Sequence, residues 1–370
     1  MDDLSRLLRP AGGGIYTVST GRAEQEALQR SIYGARDAAE VKAKWEAALA
    51  AVGGAKVAVL GIPSDCGAGL VRGAAYGPEG VRRALLSMSP DFAARAARAG
   101  VVDVGDVFVV PQLLHDEMLG DEQRRRTRAA IYGAADADDA RLPVAPLSIA
   151  ERAADLLYAR NPGLKLFMLG GDHSVAWPIA AALARQAGAG SWAIVHLDAH
   201  TDLLPERLGV RYCFATWAYH ANQLLGRGGR LVQIGVRASS RPKEHWEATL
   251  GVRQFWADEV RARGEAVIDD VIRHLAALGV KGVYLSNDID ATDSGAAPST
   301  GAPEPAGLAP DFVRALIARV GGAFPLLAAD VVEVAPPIGG ADDARRTAEV
   351  GACYMLESLA ALAGAPELRG

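Results

Sequence analysis

From Lys56 onward the sequence repeats one pattern that few folds can accommodate. Short apolar runs of four to seven residues alternate with Ala-rich helical stretches. The runs are 57–62, 101–104, 166–169, 192–197, 231–236, 283–286 and 326–332. They are continuous in Val, Ile and Leu rather than alternating with polar residues, as strands buried on both faces are. Between them lie helical stretches such as 149–158, 178–186, 267–278 and 310–320. That order implies βαβ units, and so an α/β chain whose mostly parallel sheet is covered by helices on both faces.

Residues 1–55 read differently. Gly12-Gly13-Gly14 marks a loop, and from 23 to 51 Leu28, Ile32, Val41, Trp45 and Leu49 recur at helical spacing until Gly53-Gly54. This is expected to be an N-terminal helical extension that packs on the main domain, residues 56–370, or on a neighbouring subunit. Residues 111–147 carry Pro111, Pro143, Pro146 and an acidic stretch at 136–139, and are expected to form an irregular surface excursion. Arg124, Arg125, Arg126 and Arg128 are read as a solvated helix face.

Bulk properties exclude several function classes. A net charge of -5 and a pI near 5.9 argue against nucleic acid or an anionic membrane as a partner. Cys66, Cys213 and Cys353 are far apart, with no CxxC spacing, so they indicate neither a disulfide framework nor a zinc motif, and they suit a reducing compartment. The N-terminus carries Asp2, Asp3, Arg6 and Arg9 and lacks the apolar centre of a signal peptide. The longest apolar stretch, around 175–184, is too short to span a bilayer and contains Pro178. The expectation is a soluble, cytoplasmic protein.

Three of the apolar runs end in polar clusters. The run 166–169 leads into Gly170-Gly171-Asp172-His173-Ser174, the run 192–197 into Asp198-Ala199-His200-Thr201-Asp202, and the run 283–286 into Asn287-Asp288-Ile289-Asp290. In open α/β sheets ligands bind outside the carboxyl ends of strands, so the three clusters converge on one site. Carboxylates at the end of a buried strand are costly unless something positive neutralises them. No Lys or Arg cluster lies beside these in sequence, which leaves metal ions. His173, His200, Asp198, Asp202, Asp288 and Asp290 are too many ligands for one catalytic zinc, which usually takes three. They suit two divalent ions sharing carboxylates, with Mn²⁺ favoured by mixed N/O donors and Ni²⁺ possible. A lone Asp-x-Asp or Asp-x-His would be weak evidence. Six ligand-type residues, each directly after an apolar run, are not. His196, within a run, is read as a core or supporting residue, and His115, His245 and His274 as surface residues.

These motifs resemble the arginase/agmatinase (ureohydrolase) family over residues 56 to about 362. The match includes 170–174, 198–202, Ser286 to Asp293, Thr300 to Pro305 and Asp330 to Pro336, with 61–65 and 72–78 upstream. The resemblance implies a three-layer α/β/α sandwich on a mostly parallel sheet. It implies one ion held by His173, Asp198, Asp202 and Asp288 and a second by His200, Asp198, Asp288 and Asp290, with Asp198 and Asp288 bridging. Glu333 matches the glutamate that pairs with the substrate guanidinium, and Asp293 a supporting carboxylate near the site. The implied reaction is attack of a metal-bridging hydroxide on a guanidinium carbon, giving urea and an amine. Trimers or hexamers are usual in the family, and the N-terminal extension is a plausible arm between subunits.

The chain departs from the family at one loop. Where members carry a pocket His about ten residues after the Asp-x-His-x-Asp motif, this chain has Arg211-Tyr212-Cys213-Phe214-Ala215-Thr216-Trp217. One reading makes Cys213, Phe214 and Trp217 an apolar wall that selects a small or unusual guanidine, with His220 as replacement proton carrier. The other makes the loop structural and Cys213 an inert buried residue. Two further activities compete with guanidine hydrolysis: cleavage of a formimino or acetamido C–N bond, and a metal-binding homologue without turnover.

Overall fold

The computed structural model describes residues 3–16, 19, 21–188 and 190–369. Asp2 and residues 17, 18 and 20 of the N-terminal extension lie outside the described residues. Among the described residues the nine strands are β1 (Leu8–Arg9), β2 (Val57–Ile62), β3 (Val101–Val107), β4 (Lys165–Gly170), β5 (Ala193–Leu197), β6 (Leu231–Ile234), β7 (Arg253–Phe255), β8 (Val283–Asn287) and β9 (Leu326–Val331). They form one sheet in the order β1-β3-β2-β4-β9-β8-β5-β6-β7. Every pair is parallel except β1 with β3.

Successive side chains on a strand point to opposite faces, and here both faces are apolar. Leu60, Leu166, Met168, Ile194 and Tyr284 pack with the helices Pro146–Arg160, Ala176–Ala187 and Trp217–Leu224. Val59, Phe167, Leu169, Val195 and Leu285 pack on the other side with Gly77–Met88, Ala266–Ala277, Pro310–Ala323 and Ala341–Ala363. The result is three layers with two cores. Two strands were not legible in the sequence. β1 has two residues, and β7 reads Arg253-Gln254-Phe255, too short and too polar for a run.

The N-terminal extension packs on this domain. The helical pattern at 23–51 is broken into Arg22–Tyr33 and Ala38–Ala51, because Gly34 caps the first helix at φ 56° and Asp37 caps the second by accepting from Glu40 N–H at 2.9 Å. Leu4, Leu7, Leu8, Trp45 and Leu49 share the core beneath β3, and Trp45 Nε1–H donates to Val104 O at 2.9 Å. Arg82 is 3 % exposed and binds Asp103 at 3.0 Å and Asp106 at 2.6 Å, tying the helix Gly77–Met88 to β3.

Residues 111–147 are more ordered than their composition suggests. They contain the helix Asp121–Tyr132, and Leu114, Leu142 and Val144 are buried. Arg128 is not part of a solvated face: it is buried, donating to Leu142 O at 2.7 Å and Ala137 O at 2.9 Å. Its planar fork satisfies the carbonyls of the loop that folds over it.

Candidate metal centre

The four central strands, β4, β9, β8 and β5, are consecutive in the sheet, and their carboxyl ends build the site. The chain leaves β4 through Gly171. A side chain there would place its Cβ 1.9 Å from the Ser64 carbonyl oxygen, so only glycine allows this approach. Gly171 N–H donates to Ile62 O and Asp172 N–H to Ser64 O, each at 2.9 Å, which fastens the loop after β4 to the loop after β2. Asp172 accepts from Ser174 N–H at 2.8 Å and Gly67 N–H at 2.9 Å, and His173 turns inward.

The tautomer of His173 follows from its partners. Tyr284 O–H, Asn287 N–H and Ser286 O–H all donate to Asp330, the serine at 2.9 Å. With its hydrogen committed there, Ser286 Oγ accepts from His173 Nε2–H at 3.0 Å. In the neutral ring His173 Nδ1 therefore carries the lone pair. It is buried without a hydrogen-bond partner. It lies 3.1 Å from Asp198 Oδ2, 3.1 Å from Asp288 Oδ2 and 3.4 Å from Asp202 Oδ2. A lone pair and three carboxylate oxygens facing one point repel one another unless a cation neutralises them.

A second group adjoins the first. His200 Nδ1 lies 3.0 Å from Asp290 Oδ2 and 3.4 Å from Asp198 Oδ1. Asp198 thus turns one oxygen toward each histidine. Backbone donors set these rotamers: Asp198 Oδ1 accepts from His200 N–H at 2.6 Å, Asp288 Oδ1 from Asp290 N–H at 2.8 Å, and Asp290 Oδ1 from Ala199 N–H at 3.0 Å. All six residues expected as ligands border one chamber of about 220 Å³, together with Glu333, Phe214 and Arg207. Neutral imidazole and carboxylate oxygen without thiolate is a donor set that fits divalent cations of the Mn²⁺ to Zn²⁺ series.

The electrostatics agree with that fit. Burial, then the charges of Asp290 and Asp198, pushes the Asp288 carboxyl well up. Burial and Asp198 do the same to Asp202 and, less strongly, to Asp290. Burial lowers the histidines, yet the facing carboxylates outweigh it. His173 is driven well up by Asp198 and Asp288, and His200 up to about 12 by Asp198 and Asp290. The protein alone leaves an excess of negative charge that only protons or cations relieve.

Glu333 follows β9 and reaches the same chamber. Its Oε1 accepts from His173 N–H at 3.0 Å, and burial with the nearby Asp288 and Asp172 charges pushes its carboxyl well up. Glu333 at φ 61° and Asp202 at φ 52° both adopt the left-handed conformation that non-glycine residues usually avoid. Strain of this kind persists where the surroundings over-determine it, here at two carboxylates facing one chamber.

Four other expected site residues are placed differently. Trp217 forms no wall. It is fully buried behind the ligands, its Nε1–H donating to Asp202 Oδ2 at 3.0 Å and its ring 4.7 Å from that of His173. Cys213 is 5 % exposed and borders the outer cleft rather than the chamber, and burial pushes its thiol up. His220 packs beside Trp177 and Tyr212, with Nε2 held 3.0 Å from Pro205 O and 3.1 Å from Arg211 O. It lies one helix turn beyond the loop, so its ring faces the loop's carbonyls and not the ligands. Asp293 accepts from Gly295 N–H at 2.9 Å and Gly307 N–H at 3.0 Å, which hold its carboxyl below the usual range. It organises a loop outside the chamber. Phe214 does face the chamber, with the Arg207 guanidinium 4.9 Å from its ring centre.

Ser286, Asp330 and Arg207 were not singled out from sequence. A faint signal existed for the first two: each is a polar residue inside an otherwise apolar run. Arg207 carried none, being one arginine in a polar loop.

Comparison with known proteins agrees with this geometry. A sequence model described as the Arginase family matches residues 55–360. The N(1)-aminopropylagmatine ureohydrolase of Thermus thermophilus is 32% identical over 282 residues, covering 76% of this chain and 83% of that protein. The mitochondrial guanidino acid hydrolase of Homo sapiens is 30% identical over 316 residues, covering 84% of this chain and 79% of that protein. The crystal structure of agmatine ureohydrolase from Thermoplasma volcanium superposes with a TM-score of 0.64 at 26% identity, covering 84% of this chain and 90% of that one. With this fold, this chamber and a family match over most of its length, the chain belongs to the arginase family.

Proposed function

We propose that this protein is a binuclear-metal amidinohydrolase that cleaves a guanidino compound to urea and an amine. The observation that carries the reading is the His173 Nδ1 lone pair facing three carboxylate oxygens, beside a second histidine–carboxylate group that shares Asp198. The first ion would be held by His173, Asp198, Asp202 and Asp288, and the second by His200, Asp198, Asp288 and Asp290, with Mn²⁺ favoured and Ni²⁺ the other candidate. Two such ions would supply Lewis acidity and a water whose pKa is lowered toward neutrality. The chain's residues do the rest. Glu333 pairs with the substrate's guanidinium and presents its carbon to the ligands. Since His220 and Cys213 stand outside the chamber, Asp202 and Glu333 are the carboxyl groups placed to hold and return the proton that the leaving nitrogen takes.

The outer cleft narrows the substrate class. It opens from the chamber with a volume of about 520 Å³, and its described lining is apolar apart from Gln112 and Arg207. Among the described residues no acidic side chain lines it and Arg207 forms no ion pair. A carboxylate tail therefore meets an opposite charge there, whereas the ammonium tail of agmatine meets only the like charge of Arg207. The substrate is accordingly a guanidino acid. Urea release from 4-guanidinobutyrate, 3-guanidinopropionate, agmatine, arginine, methylguanidine and free guanidine, each with Mn²⁺ and with Ni²⁺, tests this. A charge-assisted hydrogen bond of about 1.5–3 kcal/mol, at its lower end for an exposed arginine, predicts about a tenfold preference in kcat/KM for a guanidino acid over agmatine. Arg207→Gln should abolish that preference. Faster turnover of agmatine, or a preference that survives Arg207→Gln, would overturn the assignment, and metal binding without urea release from any compound would overturn the hydrolase reading. The same reading takes the enzyme as a homo-oligomer, a trimer or hexamer, which sedimentation measures.

A further inference from the structure

Behind the chamber, three polar side chains stand in register across the buried sheet. His196 of β5 pairs with Gln233 of β6, and Gln233 with Gln254 of β7. All three are 0% exposed. One step back in the same register, Ile194 pairs with Leu231, so this row interrupts an apolar face. Apolar residues would pack there without a hydrogen-bonding requirement. What the polar row does follows from its two ends.

At the outer end, Trp256 Nε1–H lies 2.9 Å from Gln254 Oε1. An indole nitrogen only donates, so that amide must present its oxygen outward and its NH₂ inward. Gln254 Nε2–H then donates to Gln233 Oε1 at 2.8 Å. At the inner end, the Thr201 carbonyl oxygen, which only accepts, takes a hydrogen bond from Gln233 Nε2 at 2.6 Å. Both ends thus impose the same polarity. The second hydrogen of Gln233 Nε2 points to His196 Nδ1 at 3.0 Å, so that nitrogen is an acceptor. The hydrogen of the neutral ring sits on Nε2, 2.8 Å from Asp198 Oδ2.

We infer that Trp256, Gln254, Gln233 and His196 form a one-way hydrogen-bond chain that locks the His196 tautomer and thereby holds Asp198 as the shared ligand of both ions. Asp198 is the carboxylate with the most demanding position, since one oxygen must face each histidine. A hydrogen bond from His196 Nε2–H to Oδ2, opposite the His200 N–H bond to Oδ1, fixes its plane from both sides. The four are positioning residues: none lines the chamber. Partners of this kind behind metal ligands typically change affinity 10–100-fold when removed.

The inference rests on the binuclear reading for its consequence but not for its structure, and two measurements separate them. The first is the ¹⁵N magic-angle-spinning spectrum of metal-free, histidine-labelled protein, with His196 assigned by its loss in His196→Phe. His196 Nδ1 should resonate as an unprotonated acceptor and Nε2 as protonated. Gln233→Leu, which removes the donor, should move the Nδ1 resonance toward that of an imidazole nitrogen without a hydrogen bond, while Nε2 stays protonated against Asp198. A protonated Nδ1 in the wild type would overturn the chain whatever the metal content. The second is titration of Mn²⁺ in competition with a chelator. His196→Phe should weaken binding at least tenfold. His196→Gln, which keeps an N–H near the Nε2 position, should stay within about threefold of wild type. Trp256→Phe, at the partly exposed far end, should weaken it by two- to fivefold. Mn²⁺ affinity unchanged in His196→Phe would overturn the positioning role, whereas a wild type that binds no Mn²⁺ would overturn the binuclear reading and leave the spectral result standing.

Discussion

Replacing Trp217 by Phe separates a residue that holds a ligand from one that meets substrate. Phe keeps an aromatic ring against His173 and His196, whose rings lie 4.7 and 4.9 Å from that of Trp217. It deletes one interaction, the Nε1–H bond to Asp202 Oδ2 at 3.0 Å. Asp202 is 6% exposed, so water does not readily replace that donor. A hydrogen bond to a charged, buried group contributes about 1.5–3 kcal/mol, which is about ten- to hundredfold in an equilibrium constant. The loss should appear in Mn²⁺ affinity, because Asp202 loses its orientation. The smaller ring should also lower stability by roughly 1 kcal/mol through imperfect packing. Chelator competition measures the first effect and calorimetry of the metal-free protein the second. KM for the guanidino substrate, at saturating Mn²⁺, should stay within about twofold. If Mn²⁺ affinity were unchanged and KM rose instead, Trp217 would be a pocket wall after all and the buried placement would be refuted.

Asp288→Asn keeps an oxygen for the Asp290 amide but removes the charge shared with Asp198 and Asp290. It should lose bound metal and activity together and raise the stability of the metal-free protein; retention of two ions would show that Asp288 does not bridge. Stability should also respond to pH with a definite sign. Asp202, Asp288, Asp290 and Glu333 are raised by burial and neighbouring carboxylates, and His173 and His200 by facing carboxylates. Groups raised in the fold stabilise it below their unfolded values, about 4 for the acids and 6.5 for histidine, and that stabilisation is lost as pH rises through the folded values. Among the carboxylates and histidines that line the chamber, Asp198 alone runs the other way. The metal-free protein should therefore lose stability from about pH 5 to 8 while the Mn²⁺-loaded protein does not, so the gap between their Tm values widens; a constant gap would contradict the electrostatics. Arg82→Met, which strands Asp103 and Asp106 at the β3 edge, should destabilise by about 3–5 kcal/mol in chemical denaturation, far from the chamber and without changing Mn²⁺ affinity.

The sequence by itself determined the sheet class and the types of the candidate ligands. Continuous apolar runs of four to seven residues between helical stretches fit buried strands, and carboxylates placed at their ends need a counter-charge; both inferences are local. The sequence also located each candidate ligand at the end of its strand, because a strand's end and its loop are adjacent in the chain. What it did not contain was the order of strands. β9 is last in the chain yet lies between β4 and β8, and that insertion brings Glu333 and Asp330 beside His173. The loop at 211–217 failed for a related reason. A loop's residues have no period, so nothing local says which of Cys213, Phe214 and Trp217 turns inward. Packing decided it: Trp217 begins a helix whose buried face lies behind the ligands, while Phe214 is left at the opening. The polar row from His196 to Trp256 is likewise invisible in one dimension. Its members lie on three strands, with β7 too short to announce itself, and only register across the sheet brings them into line.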